Sequence, residues 1–86
     1  MTTFTKCELL VILAEESAEV IQATTKCLRF GFSHFEPGYG LNSDTLSKEL
    51  GDLLGIADEL ELNWEMVEAF RRTKIERAER AKAERS

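Results

Sequence analysis

Apolar residues recur at helical spacing over most of the chain, in three runs separated by two breaks. In the first run Leu9, Ile12, Leu13, Val20, Ala23 and Cys27 fall on one helix face. Thr5 with Glu8 three residues on forms a capping box, which satisfies two backbone donors left open at a helix start. Gly31 stands where such a helix would end. The pattern predicts a helix over residues 5–30. Leu46, Leu50, Leu53, Ile56, Ala57 and Leu60 form a second stripe. Its helix opens at Asn42 or Ser43, either able to cap, and runs to about Leu62. Asn63 caps a third helix, with Trp64, Val67, Phe70 and Ile75 as its early apolar face. Beyond Arg77 charges alternate with Ala and no core face remains, so that end is a solvated helix or frays. Residues 31–43 are too many for a tight turn, and their glycines and proline predict a loop without secondary structure. Phe32, Phe35 and Tyr39 in it either cover a bound base or pack over the helix ends.

Eighty-six residues make one domain. Helices of about 20–25 residues are rods of ~30–37 Å, and three of them cannot enclose all their apolar stripes. The expected fold class is therefore all-α: a three-helix chain that assembles as a homodimer or homotetramer, completing a four-helix arrangement across chains. No apolar run approaches the ~20 residues that span a bilayer. The start of the chain shows no basic segment leading into an apolar stretch and a cleavage site, so the expected address is the cytoplasm. Cys7 and Cys27 on one continuous helix would stand ~30 Å apart, too far for a disulfide. Both read as small buried residues rather than reactive thiols.

The net charge of −5 hides a split. Residues 1–70 carry four basic and thirteen acidic side chains, net −9, and residues 71–86 carry seven basic and three acidic, net +4. No basic stripe tracks a nucleic acid backbone, so no nucleic acid partner is expected. An acidic body can still hold an anionic ligand if divalent cations invert the local sign.

The acidic residues also intrude where they are unexpected. Glu16 lies inside the first apolar stripe, and Glu19 follows three residues later. Glu49 and Asp52 repeat the arrangement among Leu46, Leu50, Leu53 and Ile56. That spacing sets two side chains side by side on one helix face. One such pair more often marks a solvated face. Two pairs, each inside the stripe of adjacent helices, point instead to a shared site. Four converging carboxylates repel each other and lose hydration, and they either take up protons or bind a divalent cation. Oxygen-only ligands suit Mg²⁺ or Mn²⁺ rather than zinc, so the lone His34 is expected to be a surface loop residue. Gly51 and Gly55 weaken the second helix and are expected to allow close helix approach or substrate access. Trp64 reads as core.

Glu15-Glu16-Ser17-Ala18-Glu19, followed by Glu49-Leu50-Gly51-Asp52, resembles the E-E-x-x-E … E-L-x-D motif of MazG-like nucleotide pyrophosphohydrolases. Lys26-Cys27-Leu28-Arg29-Phe30-Gly31 is similar to the end of that family's first motif helix, and Asn42 and Lys74-Ile75 with Arg80 also fit. Ala78 departs from the pattern, where the family has Asn. The resemblance implies an all-α fold with Glu16, Glu19, Glu49 and Asp52 as Mg²⁺ ligands, Mn²⁺ being the natural substitute. It implies hydrolysis of a nucleoside triphosphate to the monophosphate and diphosphate. Glu15 becomes a candidate general base, or an exposed partner for Lys26. Lys48, Lys74, Arg77 and Arg80 become candidate phosphate contacts, Arg77 equally a partner for glutamates on its own helix. Two other readings stay open: a non-catalytic acidic oligomerisation module, and the same chemistry on another nucleotide such as phosphoribosyl-ATP.

Overall fold

The computed structural model describes residues 2–85. Helix α1 spans Lys6–Phe30, strands β1 and β2 span Phe35–Glu36 and Gly40–Leu41, α2 spans Asn42–Asp58 and α3 spans Trp64–Arg85. The chain is thus all-helical apart from one minimal hairpin. The start of α1 is the capping box read from the sequence: Glu8 N–H donates to Thr5 Oγ1 at 3.1 Å and Thr5 N–H to Glu8 Oε1 at 2.8 Å. The backbone bond from Thr5, and its hydroxyl contact, hold the Glu8 carboxyl below its ordinary value. Gly31, at φ 108°, ends the helix and donates its N–H to Cys27 O at 2.9 Å. Few residues but glycine adopt that angle.

The segment after α1 corrects the expectation of an irregular loop. Phe35 pairs with Leu41 and Glu36 with Gly40 in an antiparallel hairpin. Gly38 and Gly40, at φ 87° and 86°, make the reversal, and Tyr39 N–H donates to Glu36 O at 2.9 Å. The glycines that argued against secondary structure are the residues that permit this turn. Asn42 secures its base: its backbone N–H donates to His34 O at 2.9 Å and its side-chain Nδ2 to Gly31 O at 3.0 Å. Asn42 is accordingly buried. Asn42 is the first residue inside α2, whose N-cap position is Leu41 with no side-chain cap, so it does not cap the helix.

α2 also ends earlier than its apolar stripe suggests. Glu59 and Leu60 donate to Ile56 O and Ala57 O at 3.0 and 3.1 Å, tightening the last turn, and Glu61 takes a left-handed φ of 56°. Leu60 stays buried from the turn rather than from a continued helix. Asn63 caps α3 as expected, its Oδ1 accepting from Met66 N–H at 3.1 Å. α3 remains helical to Arg85 with exposed ion pairs Glu68–Arg71 and Glu76–Arg80 along it, so its end is a solvated helix.

The packed unit is α1 against α2; α3 shares no comparable face with either. Among the described residues only Leu9, Ala23 and Leu60 form a buried apolar core. Ile12, Leu13, Val20, Cys27, Leu46, Leu53, Ile56 and Ala57 are half-buried, but Leu50 lies exposed. Three expectations need correction. Cys7 faces solvent on the first turn of α1, and only Cys27 is partly covered; both are free thiols. Trp64 is partly exposed at the open start of α3 rather than core. A Cβ added at Gly51 or Gly55 would meet nothing within 4 Å, so within the chain neither glycine serves a close approach.

The result is an open, flat molecule of 42 × 41 × 16 Å. Its radius of gyration is 15.8 Å, where a compact chain of this length has about 12 Å. Its accessible surface is 6978 Å², against roughly 5,200 Å² for a folded monomer of this mass. No helix among the described residues is long and apolar enough to cross a membrane.

Candidate metal centre

The α1–α2 contact sets Glu16 opposite Glu49 and Asp52. One carboxylate oxygen from each lies within 4.8 Å of the other two. Oxygens on opposite sides of a Mg²⁺ ion stand about 4 Å apart, so small side-chain rotations suffice to share one cation. Glu16 and Glu49 are half-buried and Asp52 is exposed, so the trio sits at a rim with access from solvent.

The electrostatics record the crowding. Partial loss of hydration, then the charges of Asp52, Glu49 and Glu19, push the Glu16 carboxyl above its ordinary value. Lys48 gives partial relief, its Nζ standing 2.8 Å from Asp52 Oδ2 and 3.4 Å from Glu49 Oε1. Those hydrogen bonds, Asp52's first, raise the Lys48 ammonium in turn. One ammonium against three carboxylates leaves a local deficit of two positive charges. A divalent cation matches that deficit, and the all-oxygen donor set matches the hard cations Mg²⁺ and Mn²⁺.

Glu19 stands outside the trio. It is exposed one turn along α1, close enough to act on Glu16 through its charge. With Glu49 it walls a neighbouring cleft of about 280 Å³, lined also by Gln22, Ala23, Lys26, Tyr39 and Thr45. Glu15 is exposed, and Lys26 is not its partner: the Lys26 ammonium lies 4.9 Å over the Tyr39 ring. His34 is the surface loop residue expected, 3.2 Å from Glu36 Oε2.

The basic candidates divide. Lys48 is at the centre, bonded to two of the proposed ligands. Lys74, Arg77 and Arg80 ride on α3, which this chain does not fold onto the carboxylates. Arg80 pairs with Glu76 at 3.0 Å. Among the described residues Arg77 pairs with no glutamate; it lies 5.0 Å over the Phe70 ring and donates to Phe70 O and Thr73 Oγ1. Lys74 projects into solvent.

Sequence reasoning gave no site role to Gln22 or Thr45, and read Lys26 as a partner for Glu15 and as part of the motif-helix end. The signal was present. Gln22 and Lys26 follow Glu19 by three and seven residues and Thr45 precedes Glu49 by four, so each shares a helix face with a carboxylate. No family model, curated protein or solved structure matches the chain.

Proposed function

We propose that the chain is a Mg²⁺-dependent nucleotide pyrophosphohydrolase of the MazG-like kind, hydrolysing a (d)NTP to a (d)NMP and diphosphate as a homodimer or homotetramer. The observation that carries this reading is the convergence of Glu16, Glu49 and Asp52 with only Lys48 to balance them. These three are the residues that would hold the cation, with the charge of Glu19 beside them on the cleft side. When bound, Mg²⁺ supplies the missing positive charge and Lewis-acid polarisation of a phosphoryl oxygen. With Glu49 and Asp52 engaged by a cation, Lys48 would be free to contact a phosphate oxygen. Glu15, exposed on α1 next to Glu16 in the chain and free of Lys26, is the candidate to accept the proton of the attacking water. Lys74, Arg77 and Arg80 reach the phosphates from α3 of a neighbouring chain, which the open surface of the monomer favours.

The rival reading, an acidic assembly module without chemistry, uses the same exposed faces and differs at the carboxylates. Thermal melts with and without Mg²⁺ separate the two. A native-state site at a hundred times its dissociation constant stabilises the fold by about 2.7 kcal/mol, a rise of roughly 10–20 °C for a chain this short. The expected result is that rise in the parent and its loss in Glu49→Gln. Identical melting curves with and without the ion would leave the metal reading without support.

A further inference from the structure

The cleft beside the carboxylates has features that a cation site does not require. Tyr39 is 72% exposed, yet its backbone is fixed. It sits between two left-handed glycines, its N–H is bonded to Glu36 O, and the hairpin that carries it is tied to the end of α1 by the buried Asn42 amide. The Lys26 ammonium over the ring holds it further. A pinned, exposed aromatic ring is a ready stacking surface, because its ordering cost is met before any ligand arrives.

The rest of the cleft supplies polar readers. The Gln22 amide offers a donor and an acceptor and makes no side-chain hydrogen bond among the described residues. The Thr45 hydroxyl has only a 3.4 Å bond to Leu41 O. The cleft is open to solvent and holds about 280 Å³, room for a flat ring beside the carboxylates. Glu19 and Glu49 also line the cleft, and Glu49 belongs to the carboxylate trio, so the cleft adjoins the trio.

We propose that this cleft is the base subsite: Tyr39 stacks on the base of the bound nucleotide, Gln22 and Thr45 meet its polar edge or sugar, and Lys26 positions the tyrosine ring. This assignment rests on the reading of Glu16, Glu49 and Asp52 as the cation site that takes the phosphates.

The test is calorimetric binding to the full chain in Mg²⁺, with two probes. One is the set of four α,β-imido deoxynucleoside triphosphates, which resist cleavage; the other is inorganic pyrophosphate, which has no base. Tyr39→Ala is expected to weaken the best-bound imido nucleotide ~10-fold or more, the scale of one lost base–aromatic stack. Pyrophosphate binding should stay unchanged, and Tyr39→Phe, which keeps the ring, should bind nucleotide within about two-fold of the parent. Parent-like nucleotide affinity in Tyr39→Ala, or a Phe variant as weak as the Ala variant, would overturn the stacking subsite and leave the cation site intact. A parent chain that binds neither probe would overturn the cation reading itself, and the subsite with it.

Discussion

Asp52→Asn is expected to abolish turnover, by ~100-fold or more, while the chain remains folded. The reasoning is local. Asp52 is exposed at the rim of α2, so the swap to an isosteric amide opens no cavity. It removes a charged oxygen from the trio and the nearer partner of Lys48, which keeps Glu49 at 3.4 Å. Metal affinity falls for want of a ligand, but the metal-free fold is relieved of a like charge. Glu16→Gln sharpens the point through pH. The folded Glu16 carboxyl titrates above its unfolded value, so the native state holds more protons between the two. Stability of the metal-free parent therefore declines, through this group, as pH rises from the ordinary carboxylate range of about 4 past the raised value. In Glu16→Gln that decline should be absent, and its melting temperature at neutral pH should equal or exceed the parent's. A variant at position 16 or 52 that is inactive because it is unfolded, as judged by circular dichroism, would show that these carboxylates support the fold instead.

Sedimentation at micromolar concentration is expected to return a dimer or tetramer. The chain exposes roughly 1,800 Å² more than a compact monomer of its mass, and a standard protein interface removes about 800 Å² from each partner. Phe70 and Ile75 on α3 are 55% and 69% exposed, and Leu10, Val11, Ile21 and Leu28 lie open on α1. Charge acts in the same direction, since residues 71–86 carry a net +4 against −9 on residues 1–70, and α3 shares no extensive face with the acidic α1–α2 unit. Association should weaken as salt is raised, to the extent that these charges meet. A folded monomer at all concentrations, with full activity, would contradict the assembly and the supply of α3 bases from a second chain.

The residues differ in how plainly the sequence announces them. Helices α1 and α3 are legible because their starts are chemical signals, Thr5 with Glu8 and Asn63, that act locally and are found as bonds. Glu16, Glu49 and Asp52 are legible for a different reason: a carboxylate inside an apolar stripe marks a conflict that only tertiary structure resolves. The hairpin at Phe35–Glu36 and Gly40–Leu41 is not legible. Two-residue strands carry no alternation, and the side chain that ties them down is Asn42, whose local reading is a helix cap. The end of α2 is missed for a related cause, because Leu60 and Leu62 extend the period while the backbone has already turned at Glu59. Glu19 shows the limit of spacing arguments. It repeats Glu16 at three residues, yet Glu16 alone of the two completes the trio with α2, and Glu19 faces the cleft.

The measurement that bears most directly on the central claim is the product pattern of a single turnover. A nucleoside triphosphate mixed with excess protein and Mg²⁺ is quenched over time and its products are separated. Water attack at the α-phosphorus releases diphosphate as one unit, so monophosphate and diphosphate should appear together, in equal amounts, from the first time point. Omission of Mg²⁺, or Asp52→Asn, should remove both at once. Orthophosphate released first, with a nucleoside diphosphate building up before any monophosphate, would contradict the account.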